Sequence, residues 1–115
     1  MISPFALDKP SIMERLGGDE EIFSMMVDMF LQDVDNNCSA LQAALQGGDS
    51  VLLQREAHTV KGLLATFSDE AGAAVAFSLE QQAKLGSVEP GASLVPALIQ
   101  RMHDVAGVLR GGSGG

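Results

Sequence analysis

Residues 57–67 read AHTVKGLLATF, and three of them bear on chemistry: His58, Lys61 and Gly62. An imidazole nitrogen is a nucleophile available near neutral pH, so His58 is a candidate acceptor in group transfer. If it takes a phosphoryl group, the product carries close to two negative charges. A lysine one helical turn away neutralises part of that charge through a charge-assisted hydrogen bond. Glycine inside a helix costs about 1 kcal/mol relative to alanine, a cost with a use where something large must approach the neighbouring histidine. A plainer reading stands beside this one. A surface His next to a surface Lys is common, and a helical Gly also serves close helix packing.

Helix geometry places the three. Leu53, Ala57, Val60, Leu64 and Phe67 recur at helical spacing and form one apolar stripe, the expected core face. At 3.6 residues per turn, His58 lies about 140° and Lys61 about 80° from the centre of that stripe. His58 is therefore expected near solvent, with Gln54, Gly62 and Ala65 on its side, and Lys61 is expected to be largely solvated.

The elements that must hold this face follow from stop signals and periodicity. Residues 1–9 read as a lead-in, and Pro10 to Leu16 as a short helix ended by Gly17-Gly18. Asp19 starts a long helix with Glu20 and Glu21 in its first turn. Its apolar residues include Ile22, Phe23, Met26, Phe30, Val34, Leu41 and Leu45, and it stops at Gly47-Gly48. Asp49 or Ser50 caps a third helix reaching Phe67, Ser68-Asp69 breaks the chain, and a fourth helix runs to about Leu85 before Gly86. On that fourth helix Gly72, Val75, Ala76, Leu79 and Ala83 form the expected core stripe, with Phe77, Glu80 and Lys84 on another side. The simplest reading of the last two is an i,i+4 ion pair. SVEPGAS is a loop, and a last helix is expected from about Leu94 to Leu109 with Pro96 in its first turn. GGSGG, 111–115, reads as a flexible tail. Four substantial helices with short connections predict an all-α, antiparallel up-down-up-down four-helix bundle over residues 10–110, with the short first helix covering one end.

Composition narrows the function. The net charge of −8 argues against nucleic acid and against an anionic membrane surface, both of which need a basic footprint. Cys38 is the only cysteine, which leaves no intrachain disulfide and no cysteine-based zinc site. No cluster has convincing metal spacing, and neither a P-loop nor a kinase glycine loop is present. MISPFALDKP lacks the basic start and apolar run of a signal peptide, and no stretch approaches the roughly 18 apolar residues of a membrane span. A cytoplasmic monomer without membrane insertion is expected. His103, in RMHDVAG, has no Lys-Gly after it and reads as a solvated or boundary residue.

AHTVKGLLATF resembles the centre of the histidine-containing phosphotransfer (HPt) domain family, an Ala-His-x-aliphatic-Lys-Gly motif. The stretch GGDEEIFSMMVDMFLQDVDNNCSALQAALQGGDSVLLQREAH before it and FSLEQQAKLG after it also resemble the family, so the likeness spans about residues 10–110. The resemblance implies His58 as phospho-acceptor, Lys61 as phosphate partner and Gly62 as the position of clearance. Glu80 falls where the family often has a Gln or Glu contacting the histidine, and Lys84 where a second basic residue often lies. Ser68 departs from the glycine that many members have there, which leaves the turn after the third helix open. The implied function is a phosphorelay intermediate. It takes a phosphoryl group from a receiver-domain aspartate, hands it to another receiver, and has a hybrid sensor histidine kinase as a further candidate partner. It needs no cofactor of its own, the receiver supplying Mg²⁺, and no ATP site, so it is not by itself an enzyme. Docking is expected over His58, Gly62, Ala65 and Phe77. Two alternatives stay open at this point: the phosphorylation-substrate domain of a chemotaxis-type histidine kinase, and a helical adaptor that is never phosphorylated.

Overall fold

Aspartate side chains begin four of the five helices. Asp8, Asp19, Asp49 and Asp69 each accept a hydrogen bond from the backbone amide three residues on, at 3.0–3.2 Å, satisfying one of the amides a helix start leaves unpaired. The computed structural model describes residues 4–112. Residues 1–3 of the expected lead-in and 113–115 of the expected tail lie outside it. The helices are α1 (Lys9–Arg15), α2 (Glu20–Gln46), α3 (Ser50–Thr66), α4 (Glu70–Lys84) and α5 (Gly91–Gly112). No strand occurs among the described residues, and no helix there is long and apolar enough to cross a membrane.

Packing follows chain order. α2 touches α3, α3 touches α4, α4 touches α5, and α5 returns to α2, so four helices ring one core while α1 rests on α2. The 27 residues of α2 span about 40 Å at 1.5 Å per residue, which accounts for the longest dimension of 41 Å. The core is mainly aliphatic; its aromatic members include Phe23 and an edge-to-face pair, Phe30 and Phe67, with ring centroids 5.4 Å apart. The α3 stripe from Leu53 to Phe67 is buried as its spacing predicts. On α4, Gly72, Ala76, Leu79 and Ala83 are buried and Val75 is half-buried.

Three expectations need correction. Ile22 faces solvent, and Val27 takes the core position on that stretch of α2, because the buried stripe runs through Phe23, Val27, Phe30 and Val34. α5 begins at Gly91, so Pro96 sits inside it and not in its first turn. The amides of Ala92 and Leu94 already bond the carbonyls of Glu89 and Pro90, and the fixed φ of Pro90 suits such a start. α5 also continues through Gly112, two residues into the stretch read as tail.

The α3–α4 junction carries the tightest constraint. Ser68 adopts a left-handed φ of 61°, unfavourable for a residue with a Cβ. Its hydroxyl accepts a hydrogen bond from Arg15 Nη2 at 2.8 Å, and the same nitrogen bonds the Thr66 carbonyl at 3.0 Å. Asp69 is buried, and beyond its cap on Gly72 it accepts Nε of Arg101 at 2.8 Å and Nη2 at 2.6 Å. A Cβ at Gly72 would collide with the Asp69 carboxylate and lie 3.0 Å from Cγ of Arg101. A Cβ at Gly62 would meet nothing within 4 Å. The same substitution at these two helical glycines is thus expected to have opposite signs. Gly72→Ala should destabilise by roughly 1–3 kcal/mol through overpacking, and Gly62→Ala should stabilise by up to about 1 kcal/mol. Urea unfolding of both variants checks this, and equal shifts would refute the packing role of Gly72.

Candidate functional site

α3 turns its stripe inward and leaves His58 on the outer face, where 68% of the side chain is accessible. α4 supplies the partner. Glu80 reaches across to α3 with Oε2 at 2.9 Å from Nδ1 of His58 and Oε1 at 2.8 Å from Nζ of Lys61. Only 13% of the Glu80 side chain is accessible, and Oε1 is buried with the ammonium as its counter-charge. Lys61 Nζ also lies 5.2 Å from the ring centroid of Phe77, a cation–π distance. These contacts correct the expectation for Lys61: its side chain is 29% accessible, because carboxylate and phenyl enclose its end.

The Lys61 ammonium is the main influence holding Glu80 below the ordinary carboxylate pKa; partial burial opposes it, and His58 adds to it. The ionised carboxylate can only accept, so Nδ1 of His58 carries the ring hydrogen and donates it. That tautomer leaves Nε2 with its lone pair.

Of the residues singled out in the sequence, the fold brings together His58, Lys61, Glu80 and Phe77. Gly62 and Ala65 are exposed on the same face of α3. Phe77 is 49% exposed. Lys84 is exposed on α4, and the pair it was expected to form with Glu80 is absent, since both Glu80 oxygens go to α3. His103 is exposed on α5. Burial, with Asp35 second, pushes the Cys38 thiol up, away from the reactive thiolate.

Two features were not singled out. Arg55 lines a depression of about 450 Å³ together with Val51, Gln54, His58, Thr59 and Glu80. Its position three residues before His58 was the available signal. On α2, Met25 and Met29 are 57% and 60% exposed, and Met29 borders a groove with Leu63 and Thr66 of α3. Spacing within α2 marks them as one face but does not say that α3 lies beside it.

The family model described as the Hpt domain matches residues 25–108, most of the chain and all of this site. The chain belongs to the Hpt family. Hpt proteins are phosphotransfer intermediates of phosphorelays, serving the receiver domains of response regulators. Among solved structures, the fold is similar to that of histidine-containing phosphotransfer protein B (HptB) from Pseudomonas aeruginosa PAO1, with a TM-score of 0.82 over 94% of each chain and 24% sequence identity. No curated protein sequence matches the chain significantly.

The lowered Glu80 pKa fixes the sign of a pH effect in this Hpt protein. Its stabilising contribution is complete above the unfolded value, near 4.5, and is lost as pH falls through the lower folded value. Glu80→Gln should therefore cost stability at neutral pH, and its difference from the parent should shrink as pH drops below 4.5. Unfolding curves across that range test it; a difference independent of pH would show that the Glu80 charge contributes nothing.

Proposed function

We propose that His58 is the phospho-acceptor and that its Nε2 exchanges a phosphoryl group with receiver-domain aspartates. The observation that carries this is the Glu80–His58 bond, which commits Nδ1 as donor and leaves an exposed Nε2 lone pair. In the forward step that lone pair forms an N–P bond while the acyl-phosphate P–O bond breaks, and its electrons return to the receiver carboxylate. Nδ1 keeps its hydrogen, so the phosphorylated ring is cationic and the Glu80 carboxylate is its counter-ion. The step runs backward toward a second receiver. The receiver contributes the Mg²⁺, and this chain contributes a positioned nucleophile, in keeping with the weight of positioning in phosphoryl transfer.

Receivers dock over His58, Gly62 and Ala65, between two apolar flanks. Phe77 of α4 forms one flank, and Met29 of α2, beside Leu63, forms the other. The open space above Gly62 supports this placement. The same reading takes α2 to α5 as an antiparallel up-down-up-down bundle. The connections at 47–49 and 67–69 are too short for the chain to travel back along a helix before the next begins. It also takes the protein to act as a monomer in the cytoplasm, with a hybrid sensor kinase among the sources of its phosphoryl group.

Incubation with a phosphorylated receiver, followed by mapping of acid-labile phosphate, tests the assignment. His58→Gln should abolish labelling and His103→Gln should leave it intact. Labelling that survives His58→Gln would remove His58 from the mechanism. Gly62→Gln should fold as well as the parent yet exchange phosphate with receivers at least tenfold more slowly, by obstructing approach; transfer at the parental rate would place docking elsewhere.

A further inference from the structure

The chain has seven basic residues against fifteen acidic ones, so each cation beside the nucleophile matters. Most are occupied. Lys9 pairs with Glu20, Arg15 bonds Thr66 and Ser68, Arg101 is locked on Asp69, and Arg110 has contacts of its own. Lys61, one turn after His58, holds Glu80. Moving its ammonium onto a phosphoryl group would leave the buried Glu80 Oε1 without its direct partner, an expensive exchange. Arg55 and Lys84 have no ion pair or side-chain hydrogen bond among the described residues. Of these two, only Arg55 lines the depression that holds His58. No acidic residue lies three or four positions from Arg55 on α3; its neighbours at those spacings are Val51, Leu52, His58 and Thr59.

From this we propose that Arg55 grips the phosphoryl group on Nε2 of His58, while Lys61 is a positioning residue that acts through Glu80. The proposal rests on the phospho-acceptor reading above and reassigns the phosphate contact within it. Residues three apart on a helix are neighbours, with Cβ atoms about 5–6 Å apart, within reach of an arginine. The exposed guanidinium offers two parallel N–H donors to two phosphoryl oxygens, and engaging them breaks no existing pair.

The test uses the intact protein labelled with phosphoramidate, a small donor that needs no docking. Nε2 forms the N–P bond, the donor's own P–N bond breaks, and ammonia leaves. Titration of the phosphoryl group by phosphorus NMR then reads its surroundings. A guanidinium favours the dianion and lowers the second phosphate pKa. Arg55→Gln should therefore raise that pKa by roughly 0.2–0.7 units, the size of one solvent-exposed ion pair. Arg55→Lys should recover part of the shift, and salt should weaken it. Lys61→Gln should move it less than Arg55→Gln does. An unchanged pKa in Arg55→Gln, or a larger rise in Lys61→Gln, would overturn the proposal while leaving His58 as acceptor. A parent protein that takes no label at His58 would overturn both.

Discussion

Asp69 is a carboxylate nearly sealed from water that must satisfy donors from two helices. It takes the Gly72 amide of α4 and two nitrogens of Arg101 from α5. Arg101 is itself 4% exposed, and the Asp69 carboxylate holds its pKa above the ordinary arginine value. Losing either partner of such a pair strands a buried charge, a cost of about 3–5 kcal/mol. The end of α3, the start of α4 and the middle of α5 are therefore pinned at one point, and Arg15 ties α1 to the same corner. His58 lies eleven residues before Asp69 and Glu80 eleven after it. His58 stands about two helical turns before the end of α3 and Glu80 about three turns beyond the start of α4, so the two packed helices carry both side chains away from the corner in the same direction. The bond between them follows from that corner.

The choice of partners by Glu80 also has a physical cause. Lys84, one turn along its own helix, offers a fully solvated ion pair of small worth, partly cancelled by the entropy of ordering a long side chain. Lys61 is already restrained by the Phe77 ring, and the space between α3 and α4 is only partly wet. Attraction there is screened less than at the open surface. The carboxylate therefore turns toward the inter-helix seam and takes His58 with it.

Much of this was legible in the sequence. The α3 stripe and the angle of His58 from it came directly from helical periodicity, and the ends of α2 and α4 from glycines that have left-handed φ values at Gly48 and Gly86. What was not legible depends on residues far apart in the chain. Asp69 and Arg101 are 32 positions apart, and no local pattern links them. In the sequence Gly72 is one more small core residue, because the Asp69 carboxylate that forbids its Cβ is held there by Arg101 of α5. Pro96 has the look of a helix-start signal, but the turn at Pro90 starts the helix before it. The Arg15–Ser68 bond shows how a residue with a side chain occupies a left-handed turn, which a rule based on glycine could not anticipate.

The exposure of His58 has a consequence for signalling in time. On the phospho-acceptor reading, the group is carried on a side chain with 68% of its surface in water, and so is stored in the open. Its retention is then set by bond chemistry and local charge, while its delivery depends on how often a receiver arrives. On that reading the bundle is a leaky store, in which the supply of receivers competes with a fixed chemical clock. A scarce receiver loses signal to solvent, and an abundant one captures it before decay.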